Sequence, residues 1–214
     1  HDWYLAANLG DEKTLAGHLL PGLAPNGVPA NLKNTIYPFN YNCFNELEAI
    51  TNQQDIGVIM MEVSRNRGPE NGFLEKIRQL ATAKGIVLIF DECTSGFRQT
   101  FGGLHKLYGV EPDMAMFGKA MGNGYAINAV IGRREIMEVA QTSFISSTFW
   151  TERIGPTAAL KTMEVMEKIK SWEIITSTGY RIRNGWQQLA QKYGLDIEIW
   201  GLPALSGFTI KSSK

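Results

Sequence analysis

Short, uninterrupted apolar runs alternate along this chain with segments whose apolar positions recur every three to four residues. Val58 to Val63 (VIMMEV) has the pattern of a buried strand. Glu70 to Lys84 follows, with Phe73, Leu74, Ile77, Leu80 and Ala81 at helical spacing and Gly85 standing where that helix would stop. Ile86 to Phe90 (IVLIF) predicts a second buried strand running into Asp91-Glu92. Met114 to Phe117 predicts a third and Ala129 to Gly132 a shorter fourth. Strands separated by helical crossovers predict an α/β fold, a mostly parallel sheet with helices on both faces.

Further on, a helix is expected from about Pro156, with Ala159, Met163, Met166 and Ile169 on one face. A second runs from Trp172 to Tyr193, lined by Ile175, Ile182, Trp186, Leu189 and Tyr193. After Gly194 the alternation of Ile197 and Ile199, then of Phe208 and Ile210, predicts strands of a separate α+β subdomain. The expected division is therefore residues 1–170 as part of a large domain and 171–214 as the incomplete start of a small one. Residues 1 to about 45 are rich in Gly, Pro and Asn, and Leu20-Pro21-Gly22 to Pro29 reads as a long irregular loop. A binding lid and a plain surface excursion fit that loop equally well. The chain opens on His1-Asp2-Trp3-Tyr4 and stops within an alternating segment, so an internal part of a longer protein is expected.

Composition narrows the field. An apolar fraction of 44% over 214 residues suits a globular core rather than disorder. With 21 Lys+Arg against 21 Asp+Glu there is no electrostatic reason to expect nucleic acid or an anionic membrane surface as partner. Cys43 and Cys93 form no CxxC pair and no disulfide framework, which makes a reducing, cytoplasmic setting the default. His1, His18 and His105 are far apart in sequence and in no metal-ligand spacing, so no metal is expected. The longest apolar run is too short to span a bilayer.

Two residues carry candidate chemistry. Asp91 ends an apolar strand, where open α/β sheets bind ligands; its carboxylate could hold a protonated ring nitrogen, or simply cap a turn. Lys119 follows the third strand directly, in Met116-Phe117-Gly118-Lys119-Ala120-Met121-Gly122. Buried among small residues, such a lysine would be held towards its neutral, nucleophilic amine; alone, it would read as an exposed loop lysine. Parallel pairing of their strands puts both at one edge of the sheet. A carboxylate and an activatable lysine at a ligand-binding edge are the minimal arrangement for pyridoxal phosphate.

Phe90-Asp91-Glu92-Cys93-Thr94-Ser95-Gly96-Phe97-Arg98 resembles the class III pyridoxal-phosphate-dependent aminotransferase pattern, in which a strand ends in Asp-Glu and leads into Gly-Phe-Arg. Pro112-Asp113, then Phe117-Gly118-Lys119 and the Gly-rich turn to Ala126, continue it, as does Ile131 to Met137. Within that family the glutamate-1-semialdehyde aminomutase type is similar in order across nearly the whole chain.

The resemblance implies the fold-type I architecture, with residues 1–170 belonging to the cofactor-binding domain. It implies pyridoxal 5'-phosphate as cofactor, Lys119 as the Schiff-base lysine and Asp91 as partner of the pyridine nitrogen. Cys93 takes the place of the family's valine that packs on the ring, and Thr148 that of the threonine binding the phosphate across a homodimer interface. Glu62 matches the family's Glu-Pro pair, with Val63 replacing the proline. Arg65 and Arg67, in a divergent Ser64 to Pro69 segment, could contact an anionic substrate or be solvated. Trp150 to Arg153 likewise replaces smaller family residues. The expected activity is amino-group transfer between a small-molecule amino donor and a carbonyl acceptor, or the intramolecular aminomutase version. Decarboxylation, racemisation or elimination with the same cofactor, and a non-catalytic scaffold, remain alternatives.

Overall fold

The computed structural model describes residues 2–18, 22–64, 66–145, 148 and 151–211. The chain divides into two compact units, His1–Ile56 and Gly57–Lys214.

The first unit holds α1 (Asp2–Ala6), single turns of 3-10 helix at Ala7–Leu9 and Ala30–Leu32, and α2 (Phe44–Gln53). Most other described residues here run in turns or without regular structure, in keeping with the Gly, Pro and Asn content; Leu20 and Pro21 lie outside the described residues. The buried Asn8 pins this region. Its amide donates to the Leu23 carbonyl at 2.9 Å, and its side-chain oxygen accepts from the Leu15 N–H at 3.1 Å. Helix α2 has no clear signal in the sequence, because only Leu47 and Thr51 on it are buried. Glu46 in its first turn favours the helix N-terminus electrostatically, and its carboxylate also accepts from the Asn40 N–H at 2.8 Å.

The second unit is built on β1 (Val58–Glu62), α3 (Phe73–Lys84), β2 (Val87–Asp91), β3 (Met114–Phe117) and β4 (Ala129–Gly132). The sheet order is β1-β2-β3-β4, parallel through β3, with β4 antiparallel at the edge. Register puts Ile59, Met61, Leu88, Phe90, Ala115 and Phe117 on one face, and all of them are buried. Opposite parity puts Glu62, Asp91 and Met116 in one row at the carboxyl edge. Helix α3 buries Phe73, Leu74, Ile77 and Ala81, packs on β2, and ends at Gly85 in a left-handed cap, where the pattern placed its stop.

Beyond β4 come the single turn α4 (Arg134–Met137), then α5 (Ile154–Ile169) and α6 (Ser171–Tyr193). Ala159 of α5 joins Phe97, Ala115, Phe117 and Met121 in a buried cluster, with Met163 and Met166 packed against it. Strands β5 (Ile197–Trp200) and β6 (Gly207–Ile210) pair antiparallel as a separate ribbon, as the alternation after Gly194 predicts. The Arg183 guanidinium of α6 fastens their connection by donating to the Gly201 carbonyl and to Ser206 Oγ. Among the described residues no helix is long and apolar enough to cross a membrane.

Candidate active site

Asp91 is the last residue of β2, and Lys119 follows β3 by one residue beyond Phe117-Gly118. Because β2 and β3 are parallel neighbours, the two residues emerge at the same edge, as the alternation of strands and helices implies. Asp91 is half-buried. One carboxylate oxygen accepts from the Cys93 N–H at 3.0 Å, which is the turn-capping role considered from sequence.

The turn that follows brings further groups to the lysine. Lys119 Nζ donates to Thr94 Oγ1 at 2.6 Å. Thr94 is itself fixed by its carbonyl, which accepts from Arg98 Nε at 2.7 Å. Burial pushes the Cys93 thiol up, the Asp91 charge and hydrogen bond push it further, and the nearby Lys119 charge opposes them. Asp91, Cys93, Thr94 and Lys119 thus form one cluster. One expectation fails: Lys119 is exposed rather than buried among small residues, and it is held by a hydroxyl rather than by desolvation. Its backbone is left-handed at φ 46°, and so is that of Phe97 at φ 61° in the neighbouring loop.

Sequence reasoning gave Thr94 no role, although it stands inside the Phe90 to Arg98 motif. It also missed the partner of Glu92. This carboxylate is fully buried; its Oε1 accepts from the His105 N–H at 3.0 Å and from His105 Nδ1 at 2.8 Å, and its Oε2 accepts from Ser95 Oγ. Burial alone would raise the Glu92 carboxyl, but the hydrogen bonds from His105 and Ser95 outweigh it and hold the group below its ordinary value. Asp113 is a second buried anion, at the far edge. It accepts from the Leu88 N–H at 2.8 Å, Arg78 Nη1 at 2.9 Å and Arg133 Nη1 at 3.0 Å.

The other candidates are dispersed. Thr148 is exposed in a turn, and among the described residues no hydrogen bond joins it to the Lys119 cluster. Arg65 lies outside the described residues, and Arg67 is exposed, its carbonyl accepting from Ser64 Oγ at 2.9 Å. Trp150 also lies outside them. In the same segment Glu152 caps α5, its carboxylate accepting from the N–H groups of Ile154 and Gly155. Glu62 stands beside Asp91 in the sheet register, and its charge is felt at Cys93.

A mostly parallel sheet with a carboxylate and an amine at its carboxyl edge is the architecture of the fold-type I transferases. The same fold is found in an omega-transaminase from Sphaerobacter thermophilus, with a TM-score of 0.78, 25% identity, and coverage of 89% of this chain and 45% of that one. Residues 13–214 match the family profile described as Aminotransferase class-III, and the chain belongs to that family. It is 38% identical over 197 residues to a 3-aminobutyryl-CoA aminotransferase of Cloacimonas acidaminovorans, covering 88% of this chain and 48% of the relative. It is 34% identical over 182 residues to a glutamate-1-semialdehyde 2,1-aminomutase of Natranaerobius thermophilus, covering 81% and 42%. The chain therefore spans about half the length of the curated relatives it matches.

Proposed function

We propose that this chain is the central part of a pyridoxal-phosphate-dependent enzyme that moves an amino group from a small-molecule donor to a carbonyl acceptor, or within one substrate. The observation that carries the reading is the cluster at the carboxyl edge, where Lys119 Nζ, Thr94 Oγ1, the Cys93 thiol and the Asp91 carboxylate converge. Their chemistry fits the cofactor: an anion for a ring N–H, a primary amine for an aldehyde, and a soft apolar filler for a ring face. When bound, pyridoxal phosphate supplies an electron sink for the charge left as a proton departs from the carbon bearing nitrogen.

The chain's own residues do the rest. The Asp91 carboxylate would hold the proton on the ring nitrogen, with the Cys93 N–H fixing one of its oxygens. The Lys119 amine would hold the cofactor covalently and shuttle the substrate proton, while the Thr94 hydroxyl, already accepting from it at 2.6 Å, fixes where the amine waits. Thr148 would bind phosphate on a neighbouring subunit of a homodimer in the cytoplasm. Residues 1–170 would belong to the large domain and 171–214 to the start of the small one. Arg65 and Arg67, where the chain departs from the family pattern, are the candidates for an anionic substrate.

The test is to incubate the protein with pyridoxal phosphate, reduce with borohydride, digest and map by mass. A phosphopyridoxyl group on Lys119 is the expected result. Folded protein that carries none, or carries it on another lysine, refutes the assignment.

A further inference from the structure

Immediately after Asp91, Glu92 directs its side chain away from the cluster into full burial. An ionised carboxylate is tolerated there only if its oxygens are hydrogen-bonded, and they are: by Ser95 Oγ, by the His105 backbone N–H and by His105 Nδ1. The His105 ring is itself buried. It lies 6.0 Å from the Phe90 ring, and its Nε2 is 3.5 Å from the carboxylate of the exposed Glu111. Through Glu92 the end of β2 is therefore locked to the helical turn Leu104–Leu107, 13 residues further on.

The backbone around this peg is equally committed. The Glu92 N–H continues the sheet by donating to the Met116 carbonyl at 2.8 Å, and the Glu92 carbonyl accepts from the Gly96 N–H at 2.8 Å. A Cβ on Gly103 would lie 2.3 Å from the His105 ring and 2.9 Å from Glu92 Oε1. A Cβ on Gly96 would lie 2.8 Å from the Glu92 carbonyl oxygen and from the Phe117 ring. Only glycine admits the close approach at either position.

Between the peg at Glu92 and its return at Gly96 lie Cys93 and Thr94, two members of the Lys119 cluster. We infer that Glu92, together with His105, is the positioning residue of the amino-transfer site. The buried Glu92–Ser95–His105 network holds the Cys93–Gly96 turn so that Asp91, Cys93 and Thr94 keep their places about the Lys119 amine. Among the described residues the hydrogen bonds of these two side chains go to Ser95 and to each other rather than to Asp91 or Lys119. This rests on the reading of Lys119 and Asp91 proposed above.

The experiment uses the full protein and measures pyridoxal phosphate affinity by absorbance titration, the rate of the borohydride-trapped adduct on Lys119, and the melting temperature. The variants are Glu92→Gln, His105→Leu and His105→Gln. For Glu92→Gln and His105→Leu, the expected result is folded protein with affinity weakened about tenfold, the scale seen when an outer partner of a bound group is removed. His105→Gln, whose amide can restore a donor to Glu92, recovers most of the affinity. A purely structural role would lower the melting temperature of all three and leave the affinity of the folded protein unchanged, which overturns the inference. Should His105→Leu not fold, Glu92→Gln against His105→Gln decides in the same way. A normal wild-type adduct on Lys119 with unchanged variants sinks this inference alone; absence of the wild-type adduct sinks the function reading and this inference with it.

Discussion

Replacing Asp113 by alanine removes a side chain that ties together α3, the start of β2 and the end of β4. The Leu88 N–H would lose its acceptor in a buried place, at a cost of about 1–3 kcal/mol. Arg78, whose side chain is 23% exposed, would lose a partner but can turn to water, so its share is about 1 kcal/mol or less. Arg133 is largely exposed and adds nothing to the sum. The expected destabilisation is about 3 kcal/mol, which at an m-value of about 2 kcal/mol/M lowers the urea midpoint by about 1.5 M. The assay is urea unfolding followed by tryptophan fluorescence and far-UV circular dichroism, with the slope unchanged between wild type and variant. The folded-state carboxyl of Asp113 lies below its ordinary value of 3.8, burial raising it while the bonds from Leu88, Arg78 and Arg133 lower it further. Its contribution is therefore present above that value and is lost as pH falls through the lower folded value. The gap between wild type and Asp113→Ala should be constant near neutrality and close only in acid. A midpoint shift under about 0.25 M, or a gap that closes towards alkaline pH, would refute the reasoning.

Lys119→Ala should abolish the borohydride-trapped adduct yet change unfolding free energy by no more than about 0.5 kcal/mol, since the side chain is exposed; calorimetry and mass mapping check both halves. Gly103→Ala should destabilise by about 2 kcal/mol through overpacking against His105 and Glu92, read as a fall in the urea midpoint. Cys93, whose thiol is pushed up by burial and by Asp91, should be alkylated by iodoacetamide several-fold more slowly at neutral pH than the exposed Cys43. Equal rates at the two cysteines would show that Asp91 and burial do not govern the thiol.

How far the sequence carried the structure differs from element to element. Strands β1 to β3 and helices α3, α5 and α6 were legible because their burial is written as apolar runs or as helical stripes. Helix α2 was not, since FNELEAITNQ buries too little to leave a stripe. The antiparallel run of β4 was not legible either, because AVIG reads the same in both directions of pairing. The meeting of Asp91 and Lys119 followed from parallel order alone. The exposure of Lys119 did not, because small neighbours say nothing about which way a left-handed residue turns its side chain. The pairing of Glu92 with His105 was hidden by distance: 13 residues separate them, and an isolated histidine carries no mark of a buried carboxylate.

The left-handed backbones of Phe97 and Lys119 set two kinds of selection against each other. Each non-glycine residue in that conformation costs about 1–2 kcal/mol relative to a relaxed one, and both stand in the loops bordering the cluster. Phe97 is kept there by its ring, seated edge-on to Phe101 and Phe117 at 5.8 and 5.7 Å. A search for heat-tolerant variants would therefore be drawn to glycine at Lys119, relaxing the chain while discarding the amine, but not at Phe97, where losing the buried ring costs about 3–5 kcal/mol. At Asp113 no such conflict exists, because what strengthens the sheet there lies at the opposite end from the Lys119 cluster. Thermostabilisation of this protein is thus directional: gains made at the amino ends of the strands leave the Lys119 cluster untouched, and gains made at the carboxyl ends alter it.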